Sequence, residues 1–195
     1  MAQLDQEKKD ILLSFKDDLR KGKLDRIANK LTKEYLYDRG YIIAYMLEKG
    51  VDILSAMEYI PRYGIIDYTL NVLIIPGNIK SIKSGGISNN RMQEIIIEDG
   101  VERIEGNAIA SNPSLEKISL PESLMSIGPN AFSGNTSLKE VFIPDSITVL
   151  PKGIFSGCND VVIYANYRED KRNRLKCVES ERDFYRNHLK WIRGE

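Results

Sequence analysis

Apolar positions recur at a fixed spacing through the middle of the chain. Residues 115–137, LEKISLPESLMSIGPNAFSGNTS, run directly into residues 138–160, LKEVFIPDSITVLPKGIFSGCND, and the two match at almost every apolar position over 23 residues. Residues 92–114 keep the same period, residues 70–91 are one residue shorter, and VVIYANY begins an incomplete fifth copy. The columns read Leu70, Met92, Leu115, Leu138, Val161; Leu73, Ile95, Ile118, Val141; and Ile75, Ile97, Leu120, Ile143. Three more hold Ile79, Val101, Leu124, Ile147; Ile82, Ile104, Ile127, Leu150; and Ile87, Ile109, Phe132, Phe155. The alternating triplet that opens each copy predicts a short strand, stopped by Pro76, Glu98, Pro121 or Pro144, because proline cannot donate to a ladder. The shortened copy loses its residue between Ile87 and Met92, in a Ser-Asn-Asn-Arg turn where a deletion is least disruptive.

One copy offers about six large apolar side chains, each worth roughly 1.5–3 kcal/mol when buried. Its backbone loses roughly 1–2 kcal/mol of entropy per ordered residue. A single copy therefore cannot fold alone. Stacked copies whose strands pair in parallel merge their columns into one core, giving a solenoid whose ends need caps.

The segments LPESLMSIGPNAFSGN and IPDSITVLPKGIFSGC, and more loosely IEDGVERIEGNAIASN, resemble the BspA-like leucine-rich repeat family, whose 23-residue signature reads roughly L-x-x-I-x-I-P-x-x-(V/I)-x-x-I-G-x-x-A-F-x-G-C-x-x. The resemblance covers residues 70–166, 97 of 195. It implies a right-handed horseshoe or straighter solenoid used for protein–protein binding. The expected fold class is an α/β repeat solenoid: a leucine-rich repeat parallel sheet (65–166) flanked by an N-terminal helical region or cap (1–64) and a C-terminal capping helix (167–195).

The helical expectation upstream rests on Leu4, Ile11, Leu12, Phe15 and Leu19 falling on one face, and Leu24, Ile27, Ala28, Leu31, Tyr35 and Leu36 on another. Lys21-Gly22, Arg39-Gly40 and Lys49-Gly50 read as helix ends, each a cation followed by a permissive residue. Further short helices are expected over residues 41–48 and 52–60. Downstream, Leu175, Val178, Tyr185, Leu189 and Ile192 fall at helical spacing, with Cys177, Phe184, His188 and Trp191 on an adjoining stripe.

Charge adds a second layer. The totals balance at 28 basic and 28 acidic residues, yet residues 65–166 hold seven basic and eleven acidic, and residues 167–195 hold nine and six. The basic end offers Arg168, Lys171, Arg172, Arg174 and Lys176 as an alternative phosphate-facing patch, but interspersed Glu and the aromatic face favour a cap. Nucleic acid is thus a disfavoured partner, and self-association is a further alternative. With one His and two Cys, metal sites and triad chemistry have almost no raw material, so the expectation is a non-enzymatic module without cofactor or metal.

Smaller signals lead to the same place. Gly85-Gly86 has no Gly-Lys-Ser/Thr after it and reads as structural. The acidic group Glu94, Glu98, Asp99, Glu102 and Glu105 lacks a calcium-loop pattern and reads as a solvated edge. Cys158 reads as a small buried hydrophobe and His188 as a packed residue rather than a base. No apolar run suits a membrane span or a secretory leader, and two cysteines in unlike contexts fit free thiols, so a cytoplasmic location and no membrane partner are expected. Asn135-Thr136-Ser137 matches a glycosylation acceptor but is inert without export.

The candidate site follows from alternation along each strand. If the second and third columns point inward, the outward rows are Ile74, Ile96, Ser119, Phe142 and Val72, Glu94, Lys117, Glu140. Contiguous exposed apolar groups mark interaction sites, so this face is expected to bind a protein, with Phe142 as aromatic anchor and Glu94, Lys117 and Glu140 setting polarity. The competing expectation is that a flanking helix covers the row, or that the strand phase shifts by one residue.

Overall fold

The computed structural model describes residues 6–35, 38–166, 176–177 and 189–192. Four helices come first: α1 (Gln6–Ser14), α2 (Lys16–Arg20), α3 (Leu24–Lys33) and α4 (Arg39–Glu48). Their buried positions include Ile11, Phe15, Ile27, Ala28 and Leu31, the apolar faces expected from spacing. A 3₁₀ turn (Ile53–Ala56), with the Asp52 carboxylate accepting from the Ser55 N–H, then leads into the coils.

Each coil carries up to three short strands, and every pairing is parallel. The main sheet has six strands: β3 (Val72–Ile75), β6 (Glu94–Ile97), β8 (Lys117–Ser119), β10 (Glu140–Ile143), β12 (Val162–Asn166) and β14 (Leu189–Ile192), in the order β14-β12-β10-β8-β6-β3. A second sheet joins β1 (Tyr59–Ile60), β4 (Ser81–Ile82), β7 (Arg103–Ile104) and β9 (Ser126–Ile127). Two further pairs are β2 (Ile65–Ile66) with β5 (Ile87–Ser88), and β11 (Val149–Leu150) with β13 (Lys176–Cys177). The result is a parallel-sheet solenoid of about five turns.

Between the first two sheets the chain turns in the same way in each coil: the N–H of Ile79, Val101, Leu124 and Ile147 donates to the carbonyl of Pro76, Glu98, Pro121 and Pro144. The turn survives where glutamate replaces proline. Opposite it, Tyr63, Gly85, Asn107, Asn130 and Gly153 all hold φ between 56° and 68°, a column of left-handed residues in which a tyrosine stands among glycines and asparagines.

The apolar columns form one continuous core with the helices. Beside them runs a buried polar column that the apolar pattern does not reveal: Asn90, Asn112, Asn135 and then Cys158. Asn112 Oδ1 accepts from the N–H and Nδ2 of Asn90 at 3.0 and 3.1 Å, Asn135 Oδ1 accepts from the Asn112 N–H at 2.9 Å, and each amide donates to a carbonyl one coil back. Cys158 Sγ ends the series on the Phe132 carbonyl at 3.2 Å.

Several expectations are corrected. Residues 52–60 do not form a helix: they supply the 3₁₀ turn and β1, and the pairing of β1 and β2 carries the coil pattern upstream of the boundary read at residue 65. Arg39-Gly40 begins α4 rather than ending a helix. A Cβ on Gly40 would lie 2.5 Å from the Tyr63 carbonyl oxygen, so glycine is what lets α4 approach β2. Leu70 is exposed at the first coil, where Tyr68 is buried instead and donates its hydroxyl to the Val72 carbonyl at 3.0 Å. The C-terminal capping helix is also corrected where the chain is described, because residues 176–177 and 189–192 are strands. The rest of that stretch, with His188, Arg168, Lys171, Arg172 and Arg174, lies outside the described residues.

Arg39 and Glu48 join the helices to the coils. The Arg39 guanidinium is buried and donates to the carbonyls of Thr32 and Arg62, with Nε to Arg62 at 2.8 Å; burial lowers its pKa. Glu48 Oε1 accepts from both the N–H and the hydroxyl of Thr69 at 2.8 Å.

Candidate functional site

The inward side chains of the main sheet, Leu73, Ile75, Ile95, Ile97, Ile118, Val141 and Ile143, are sealed. Register then fixes the opposite face. Val72, Glu94, Lys117, Glu140 and Val162 occupy one row, and Ile74, Ile96, Ser119, Phe142 and Tyr164 the next. Every residue expected on the outward face therefore lies in the expected row.

Accessibility varies along the rows. Ile74 is 52% exposed, Phe142 48% and Val72 39%. Lys117 is also exposed, while Glu94, Ile96, Ser119 and Glu140 are half-buried. The strand phase is thus as the alternation implies, and among the described residues no helix lies over the row.

The two ends of the face differ in chemistry. At the first-coil end, Leu70, Val72 and Ile74 make an aliphatic edge without charge. At the other, the rings of Phe142 and Tyr164 stack with centroids 4.5 Å apart and planes 11° from parallel. In between, Lys117 Nζ lies 3.3 Å from Glu94 Oε1. Lys139 and Glu116 form another ion pair at the strand entrance.

Tyr164 and Val162 were not expected here. A strict 23-residue step from Phe142 lands on Ala165, but β10 and β12 pair at a step of 22, Phe142 with Tyr164 and Glu140 with Val162. The fifth copy has lost one residue between its first and second apolar columns. The available signal was local: Val161 and Ile163 alternate inward, which leaves Tyr164 outward.

Other chemistry-bearing groups are placed by the structure as parts of the coil. Cys158 is a free, buried thiol whose pKa is pushed up to about 11 by desolvation, against a smaller lowering from the Asn135 N–H. In the acidic group, Glu105 is held below the usual range by the Lys83 ammonium, 2.9 Å away, and by the Ser84 N–H. Among the described residues no group of three or more His, Cys, Asp or Glu is arranged to hold a metal ion. No helix there is long and apolar enough to cross a membrane.

The model of the BspA type leucine rich repeat region matches residues 47–162 in six copies. Among solved structures, a leucine rich cell surface protein from Faecalibacterium prausnitzii A2-165 is similar in fold, with a TM-score of 0.51 and 18% identity over 66% of this chain and 34% of that one. This chain thus spans about a third of that structure's length. The pneumococcal vaccine antigen PcpA is also similar, with a TM-score of 0.43 and 19% identity over 70% of this chain and 44% of that one. No curated protein matches the chain.

Proposed function

We propose that this chain, which belongs to the BspA-type leucine-rich repeat family, is a non-enzymatic protein-binding module that uses the open face of its main sheet. The observation that carries the reading is the accessible row Ile74, Ile96, Ser119, Phe142, three apolar side chains in register on strands whose other face is sealed. Apolar groups held in a row on a rigid sheet bury area against a partner while losing little entropy of their own. Phe142 is the anchor, Ile74 and Ile96 extend the apolar contact, and Glu94, Lys117 and Glu140 set the polarity beside it. Val72 and Ser119 complete the two rows.

The non-catalytic half of the reading is supported by Cys158, a potential nucleophile that is buried and held as the thiol. The same unpaired thiol supports a cytoplasmic placement as part of the proposal; surface labelling of the chain on intact cells would count against it.

Affinity capture from the native host tests the binding face. Wild type, Phe142→Asp and Ile74→Asp are run in parallel, with thermal melts to verify folding. The expected result is a prey retained by wild type and lost from both folded variants. A prey retained by both overturns the assignment to this face.

A further inference from the structure

We infer that the Phe142 end of this face is a receptor for a cationic side chain, arginine above all, presented by an extended segment of the protein partner. The inference rests on the binding-face reading and adds the chemistry of what binds. Three observations carry it. The rings of Phe142 and Tyr164 stack on one another, and Phe142 is about half exposed. Glu140 sits two residues before Phe142 on the same face of β10, roughly 7 Å away along the strand. Its carboxylate has no hydrogen bond or ion pair among the described residues.

Lys117, the cross-strand neighbour of Glu140, does not neutralise it, because its ammonium is drawn to Glu94 on the other side. The row thus reads Glu94, Lys117, Glu140 with one negative charge left over, while in the neighbouring row the backbone register runs on from Tyr164 to Lys190. A carboxylate beside π faces complements a cation that can stack and hydrogen-bond at once. Arginine suits this better than lysine, since its planar guanidinium lies flat on a ring while its edge forks the carboxylate.

Spacing extends the description of the partner. From Phe142 to Ile74 is three strand steps, about 14.4 Å, close to the reach of four extended residues at about 3.3 Å each, and residues four apart share one face. An apolar residue four positions from the arginine, on the same face of the extended segment, would meet Ile96 and Ile74. The fitting segment is therefore extended, with arginine at one end and an aliphatic side chain at the other.

Synthetic nonapeptides test this with the full chain. One position carries Arg, Lys, Gln or Glu, and a position four residues away carries Leu or Ser; binding is read by fluorescence polarisation at low and high salt. Arg peptides are expected to bind about tenfold tighter than Gln peptides, the combined size of an exposed cation–π contact and an exposed ion pair. Glu140→Gln and Phe142→Leu should each cut that preference about threefold. Ile74→Ser should weaken the Leu peptides while leaving the Arg-to-Gln ratio unchanged.

Gln or Glu peptides binding as well as Arg peptides would overturn the cationic assignment and leave the binding face standing. No saturable binding by any peptide would also overturn it, and the face would then rest on the capture experiment. Tighter Arg binding after Arg168, Lys171, Arg172 and Arg174 are all changed to Gln would assign the site to the chain's own basic segment, overturning the partner assignment.

Discussion

The coils and the N-terminal helices share one core but satisfy their buried polar groups in opposite ways. In the coils, Asn90, Asn112 and Asn135 do the same work at successive levels, each amide bonding to its neighbours in the stack. In the helices, Arg39 is the one buried charged side chain among the described residues and reaches 23 residues along the chain to the Arg62 carbonyl. Repetition makes the coil a one-dimensional array in which each level depends on the next. The helical unit depends instead on a few unrepeated ties, Arg39 and Glu48 among them.

Asn112→Leu should have the largest effect. It removes the acceptor for two Asn90 donors and leaves the Ile87 carbonyl without its amide, three buried groups at roughly 1–3 kcal/mol each, so a loss of about 3 kcal/mol or more is expected in denaturant unfolding. The variant should also lose hydrogen-exchange protection on both sides of the substituted coil. A loss under about 1 kcal/mol would mean that the ladder is incidental to coil stability.

Arg39→Met should cost about 2 kcal/mol, the smaller price of orphaning the Thr32 and Arg62 carbonyls. Exchange should rise in α3 and α4 while β6, β8 and β10 stay protected. Equal loss in both regions would abolish the distinction between unrepeated and repeated ties.

Cys158, the last member of the polar column, gives the smallest effect at neutral pH. Its folded pKa of about 11 lies above the reference 9.0, so the folded state binds the proton more tightly. The stability this contributes is complete below the unfolded pKa and is lost as pH rises from there through about 11. Cys158→Ala should therefore flatten the alkaline limb of a stability–pH curve between those values. At pH 8 the folded thiol should resist iodoacetamide that labels the unfolded chain, and rapid labelling of folded protein would contradict its burial.

The candidate rows were legible because a strand's period is two: once Leu73 and Ile95 are inward, Ile74 and Ile96 must be outward. Tyr164 falls outside the rows expected from a strict 23-residue period because the fifth copy is one residue shorter before it. The asparagine column was present in the sequence at spacings of 22 and 23, but an alignment built on apolar residues passes over polar ones. Arg39-Gly40 misled for a different reason. A basic residue before glycine marks many helix ends, and only the approach of α4 to the Tyr63 carbonyl shows why glycine is needed inside this helix.

The repeat, the parallel strands and the outward face of each strand are legible from the residues alone, because they follow from local alternation repeated at a fixed interval. The tertiary structure decided what lies between residues far apart without a period: where α4 docks, that residues 52–66 join the coils, that residues 189–192 add a strand rather than a helix, and that Phe142 meets Tyr164. Periodic information is written many times along the chain. A docking contact is written once, and its meaning depends on the three-dimensional neighbour that completes it.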